Sequence, residues 1–284
     1  ITFNGVGGTW QLVDALTVGS TRTTTLTNGS LDLNGKTLTT GLFSSAVTNT
    51  RTLTSGVGGN ITITGSGATV YTVTSTSLTV DANPTVNLTY SGSTGTRTVT
   101  TTSATSGTAP ILSVSAGADT VAGTFSVSSV NFTGFTGTFS GTLSSYGNVT
   151  IGSGVTSYTG STTFVNTSGT AVFTTNGKTV GAVTMNGAGG TMQLADNMTS
   201  ASTTTTTLTA GTINLNNKVL STGIFSSSNA NIRVIAFGTI GQIALTGSSA
   251  TILVFTTATN LSTTGTPFFN STYTGATGTR TFDT

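Results

Sequence analysis

The chain has 284 residues, with eight basic and six acidic side chains, every acid an Asp, and no His or Cys. That inventory excludes a Ser-His-Asp triad, a thiol nucleophile and a zinc site of the usual ligands, and it asks for no cofactor. The calculated pI of 9.2 rests on dispersed residues rather than a patch, so the partners do not include nucleic acid. No apolar run is long enough to cross a membrane as a helix.

About a quarter of the residues are Thr, while Glu is absent and Lys scarce. Thr, Val, Ile and Phe favour half-buried pleated surfaces, so the predicted class is all-β. In chain order, ITFNGVGGTWQLVDALTV (1–18) places Trp10, Leu12, Leu16 and Val18 in one phase, with Gln11, Val13 and Thr17 between them. Such period-2 alternation predicts strands with one buried side. TRTTTLT (21–27), LDL (31–33), RTLT (51–54), TVYT (69–72) and TVNLT (85–89) continue the series. Asn-Gly at 4–5, 28–29, 34–35, 176–177 and 186–187 marks corners, because Asn and Gly take positive φ at least cost.

The sequence then repeats itself. ITFNGVGGTWQLVDALT (1–17) falls on VTMNGAGGTMQLADNMT (183–199), and LDLNGKTLTTGLFSS (31–45) on INLNNKVLSTGIFSS (213–227), an offset of 182. One extra residue between Val73 and Pro84 moves the offset to 183, after which YSGSTGTRT (90–98) meets YTGATGTRT (273–281). The organisation read from this is a first full repeat unit at 1–182 and a partial second unit at 183–284, continuous with it. Between copies Trp10 becomes Met192, Leu31 becomes Ile213 and Val73 becomes Phe255, the drift a packed interior tolerates.

A finer period appears in NGK at 34–36 and 176–178 and NNK at 216–218, whose separations are near-multiples of about 20 residues. The predicted fold is therefore a parallel β-solenoid with coils of about 20 residues, roughly 14 of them, stacked because no coil buries its own apolar face. Tandem Ig-like β-sandwiches are the alternative fold, disfavoured because 1–91 and 92–182 do not resemble each other. A transmembrane barrel lacks its aromatic girdles. With no cap visible at either end, the expected partner is the same polypeptide continued, or self-association head to tail.

Asn34, Asn176 and Asn216 read as corner residues stacked in an amide ladder. Asp14 and Asp196 read as solvated or turn-capping carboxylates, and the isolated Asp residues offer no carboxylate pair for glycoside cleavage. The Gly-rich GVGG (5–8, 56–59) and GAGG (187–190) complete no phosphate-loop motif and read as turns. Lys36/Lys218, Arg51/Arg233 and Arg97/Arg280 recur in both copies. They read as long side chains lying over apolar surface, with an anion-binding face as the alternative.

The stretch at 2–45, with SYGNVTIGSG (145–154) and TTNGKT (174–179), resembles the Thr/Gly-rich β-strand repeats of very large bacteriophage virion and tail-fibre proteins. It is similar, more weakly, to passenger repeats of autotransporter-type adhesins. The resemblance implies a structural, non-enzymatic segment of an extracellular or virion-surface fibre, with no catalytic residue to carry over. The alternative is an adhesin or binding module whose Thr-rich face contacts cell-surface glycan. The residues that would form that face are Thr21, Thr23, Thr25, Thr203, Thr205 and Thr207. Binding predicts an unbroken Thr array there, whereas scaffolding predicts outward residues that vary freely between copies.

Overall fold

The structure, a computed structural model, describes residues 1–273 and 280–283. Among these the chain forms 33 strands and no helix. Much of the second-copy YTGATGTRT stretch lies outside the described residues.

The strands build a parallel β-solenoid of about 12 turns, with coils about 23 residues apart. The expected coil length of about 20 is thus short, and the turns are fewer than 14. The reason lies in the corners, which vary in length while the strands hold register. Leu38 pairs with Ile61, Ile61 with Val86, Val86 with Leu112 and Leu112 with Val130, steps of 23, 25, 26 and 18 residues.

Two compact units divide the chain: Ile1–Leu143 with Gly154–Thr156, and Ser144–Ser153 with Ser157–Thr284. Their boundary does not coincide with the sequence repeat at 182.

In the first unit each coil has three sides. One carries the first half of Thr23–Asp32, then Leu42–Ser45 and Thr69–Thr74, paired in parallel. The second carries the other half of Thr23–Asp32, then Arg51–Thr54 and Leu78–Val80. The third carries Leu16–Thr17, Thr37–Thr40, Asn60–Ile63, Thr85–Leu88 and Ile111–Val114. Alternation decides what enters the core. Leu38, Ile61, Val86 and Leu112 lie inside at 0% exposure, while Thr39, Thr62, Asn87 and Ser113 face outward between the buried positions. Each such buried side chain contributes about 1.5–3 kcal/mol. On the first side aromatic rings stack from coil to coil, as Phe43 does on Tyr71 with centroids 5.7 Å apart and an interplanar angle of 19°.

The second unit uses the same registers. Leu220 pairs with Ile243 as Leu38 does with Ile61, Met192 with Ile213 as Trp10 does with Leu31, and Ile213 with Ile235 as Leu31 does with Leu53. Leu53 pairs with Val80 and Ile235 with Thr263, so by that point the offset has become 183. The extra residue therefore sits in a corner, where no ladder is disturbed.

Candidate functional site

The corners are where polar side chains converge. Asn34, Asn176 and Asn216 have φ of 49°, 49° and 50°, and the residues after them are Gly35, Gly177 and Asn217 at 71°, 73° and 61°. Two successive positive φ values define a type I′ turn. It is closed by Lys36, Lys178 and Lys218 N–H donating to the carbonyls of Leu33, Thr175 and Leu215. The corner assignment holds, but the amide ladder does not. Each Asn donates to a carbonyl of the preceding coil instead, Leu12, Ile151 and Leu194 at 3.2, 2.6 and 3.1 Å.

Arg51 and Arg233 overturn the surface reading of the recurring cations. Their phase along the strand is that of Leu53 and Ile235, so both point inward, at 1% and 0% exposure. Arg51 Nε donates to Asn49 O at 2.9 Å, Nη1 to Ser45 O and Oγ at 2.7 and 2.6 Å, and Nη2 to Thr74 O and Thr76 O, both at 2.8 Å. Arg233 repeats the set with Asn231 O, Ser227 O and Oγ, Thr257 O and Thr259 O. Five N–H groups meet five oxygen contacts, the whole donor capacity of a guanidinium. No carboxylate takes part, and burial lowers both guanidinium pKa values from the ordinary one. Neither side chain retains a donor for an outside anion.

Arg97 is also buried, at 1%, and holds Asp119 bidentately with Nε and Nη2 contacts of 2.6 and 2.8 Å. Its guanidinium lies 5.6 Å from the Tyr90 ring centroid, as that of Arg280 lies 5.3 Å from Tyr273. The remaining carboxylates act mostly as local caps. Asp196 accepts from Thr175 N–H and its hydroxyl at 2.8 and 3.1 Å. Asp81 accepts from Ser55 N–H at 3.1 Å, and Asp32 accepts from Asn34 N–H at 2.8 Å and from Gln11 Nε2 at 2.7 Å. Asn214, which replaces Asp32 in the second copy, accepts the equivalent Asn216 N–H at 2.9 Å. Asp14 is exposed. Among the described residues no cluster of three or more acids could hold a metal ion.

The Thr residues expected to form a binding face are split. Thr21 and Thr203 lie in exposed turns, whereas Thr23, Thr25, Thr205 and Thr207 lie on strands facing outward, Thr23 exposed and the other three half-buried. Thr23 is followed on the next coil by Leu42 and Thr205 by Ile224, so those columns break at once. Thr25 continues through Ser44, Thr72 and Thr100 as a single file of hydroxyls. Between these Thr residues, Thr24 and Thr206 turn inward and donate to Thr40 and Thr222 hydroxyls, both at 3.0 Å.

One concavity was not legible in the sequence. In the first unit Asn4 pairs with Asn28 and Thr9 with Ser30, so Gly5–Gly8 loops out where the next coil spends a single residue, Gly29. One coil further, 46–50 fills the interval between Ser45 and Arg51 and loops out again. The tight Asn28–Gly29 corner is thus recessed between two projecting loops. The resulting notch, about 460 Å³, is lined by Val6, Gly7, Asn28, Ser30, Asn49 and Thr50 among others. Gly29 is obligatory there: its φ is 76°, and a Cβ would stand 2.4 Å from Gly5 O and 2.5 Å from Gly8 O. The second unit repeats the construction at Ala210–Gly211, between 187–190 and 228–232, with a notch of about 610 Å³.

Fold and corners together define a repeat-built parallel β-solenoid. Comparison with protein-family models, curated proteins and solved structures finds no match. No helix among the described residues is long and apolar enough to cross a membrane.

Proposed function

We propose that the chain is a structural, non-enzymatic repeat segment of an extracellular or virion-surface fibre. The observation that carries this reading is the engagement of its reactive side chains in holding coils together. Arg51 and Arg233 have their guanidinium groups occupied by neighbouring oxygens, Arg97 is paired with Asp119 through Nε and Nη2, and four of the six Asp cap backbone or pair with Arg. Outward residues drift between copies as scaffolding predicts: Thr37 becomes Val219, Thr39 becomes Ser221 and Asn60 becomes Gln242 on equivalent registers. The proposed partner is more of the same β-structure, pairing with the edge of strand Thr2–Gln11.

Immunogold labelling with an antibody against this chain is expected to decorate surface fibres of the producing particle or cell. Label confined to the interior would overturn the reading, as would hydrolysis of a polysaccharide that is lost in Asp14→Asn or Asp196→Asn. The adhesin alternative is separated by replacing Thr23, Thr25, Thr205 and Thr207 with Ala. Scaffolding predicts unchanged surface attachment, whereas loss of attachment at unchanged stability favours the Thr face.

A further inference from the structure

We propose that the recessed Asn28–Gly29 corner is a binding site for one ring of a neutral saccharide, and that the corresponding corner of the second copy has lost it. The inference stands on the notch alone and does not require the fibre reading.

Charge is the first constraint on the occupant. Arg51 lines the notch, but its five N–H groups are all engaged with Ser45, Asn49, Thr74 and Thr76, and no carboxylate lines it. A charged ligand finds no counterion, so the occupant is neutral.

The lining then gives its chemistry. Asn28 Nδ2 donates to Asn4 Oδ1 at 2.5 Å, and Asn49 Nδ2 to Thr27 O at 3.2 Å. Each carboxamide is pinned by one bond while its oxygen keeps an open valence towards solvent. The hydroxyls of Ser30, Thr50 and Thr52 stand beside them on strand or corner backbone. Fixed, closely spaced acceptors and hydroxyls of this kind match adjacent ring hydroxyls, and little ordering is needed on binding. Val6, 90% exposed on the projecting Gly loop, supplies an aliphatic wall for the C–H side of the ring. The volume of about 460 Å³ falls within the range of small-ligand sites.

The second copy is a natural control. Asn28 is replaced by Ala210, Thr50 by Ile232 and Val6 by Ala188, with Asn231 kept at the position of Asn49. The same backbone therefore carries a more apolar lining, which retains Asn186 and Asn231 but lacks the polar side chains of Asn28 and Thr50.

The test uses saturation-transfer NMR and titration calorimetry on the whole chain. The probes are glucose, galactose, N-acetylglucosamine and their β-linked dimers, with N-acetylneuraminate as the charged control. At least one neutral sugar is expected to bind at one site per chain. Asn28→Ala with Thr50→Ile, which copies a lining the fold already accepts, is expected to weaken it about tenfold or more. Ala210→Asn with Ile232→Thr is expected to add a second site. Thermal unfolding of each variant shows that the fold is kept. Absence of binding by every neutral probe overturns the proposal. So does binding that the Asn28/Thr50 variant leaves unchanged, or preference for the charged sugar.

Discussion

Arg51 reaches across to Ser45, six residues earlier, and its Nη1 binds both the carbonyl and the hydroxyl of that one residue, at 2.7 and 2.6 Å. Its Nη2 meets Thr74 and Thr76 of the following coil. A single side chain therefore closes its own corner and fastens the next.

Removing that side chain leaves buried carbonyls without donors, each costing about 1–3 kcal/mol. Arg51→Met is expected to lose about 3 kcal/mol or more of unfolding free energy in a denaturant titration. Arg51→Lys offers three donors in place of five and is expected to recover only part of it. A loss below about 1 kcal/mol for Arg51→Met would show that the corner does not depend on the guanidinium.

The Arg97–Asp119 pair, each side chain 1% exposed, predicts strong coupling. Asp119→Ala strands a buried guanidinium and is expected to cost about 3–5 kcal/mol. Combining Arg97→Met with Asp119→Leu is expected to cost less than the sum of the single changes, because neither partner is left alone. A double-mutant cycle with additive losses would contradict the pairing.

Two glycines with similar φ separate backbone strain from crowding. Gly7 has φ 72° and open space where a Cβ would go, whereas Gly29 has φ 76° and two carbonyl oxygens in the way. Gly7→Ala is expected to cost about 1 kcal/mol, the left-handed penalty alone. Gly29→Ala is expected to cost clearly more, measured as a larger fall in melting temperature.

Tyr71 and Tyr158 are fully buried, and desolvation raises both phenol pKa values well above the ordinary one of 10.0. The unfolded chain ionises these groups near pH 10 while the folded chain keeps them neutral. Stability from this source is therefore complete below pH 10 and lost progressively above it. With no His or Cys, stability should vary little between about pH 6 and 9. Melting temperature against pH, with tyrosinate absorbance as a second readout, checks both statements. Tyr71→Phe should shallow the alkaline decline.

Much of the architecture was legible because it depends on local patterns. Alternation at Leu38, Ile61 and Val86 declared strands with one buried side, and positive-φ residues at Asn34, Asn176 and Asn216 declared corners. The coil length is not legible in the sequence because Gly5–Gly8 and Gly29 occupy the same corner with four residues and with one, so no strict period survives. Arg51 reads as a surface residue in the sequence because two of its acceptors, Thr74 and Thr76, lie more than twenty residues away and are backbone atoms. A signal was nonetheless present. Arg51 and Arg97 share the inward phase of Leu53 and Val99, which a charged residue accepts only with its hydrogen bonds arranged. The motifs GVGG and Asn-Gly mark the corners that border the notch but not the notch itself, since it arises from the difference between consecutive corners. Of the Thr residues singled out, two keep hydroxylated neighbours: Thr25 in the file that runs to Thr100, and Thr207 in the file Thr163, Thr184, Thr207 and Ser226, which ends at Val254.

The residue gained between Val73 and Leu78 in the second copy entered a bend, and Ile235 pairs with Thr263 on the register that Leu53 keeps with Val80. Insertions and deletions can therefore accumulate at the bends while the flat sides keep a constant pitch. Lineages carrying this chain can remodel what it displays at its edges without renegotiating the spacing of what lies between them.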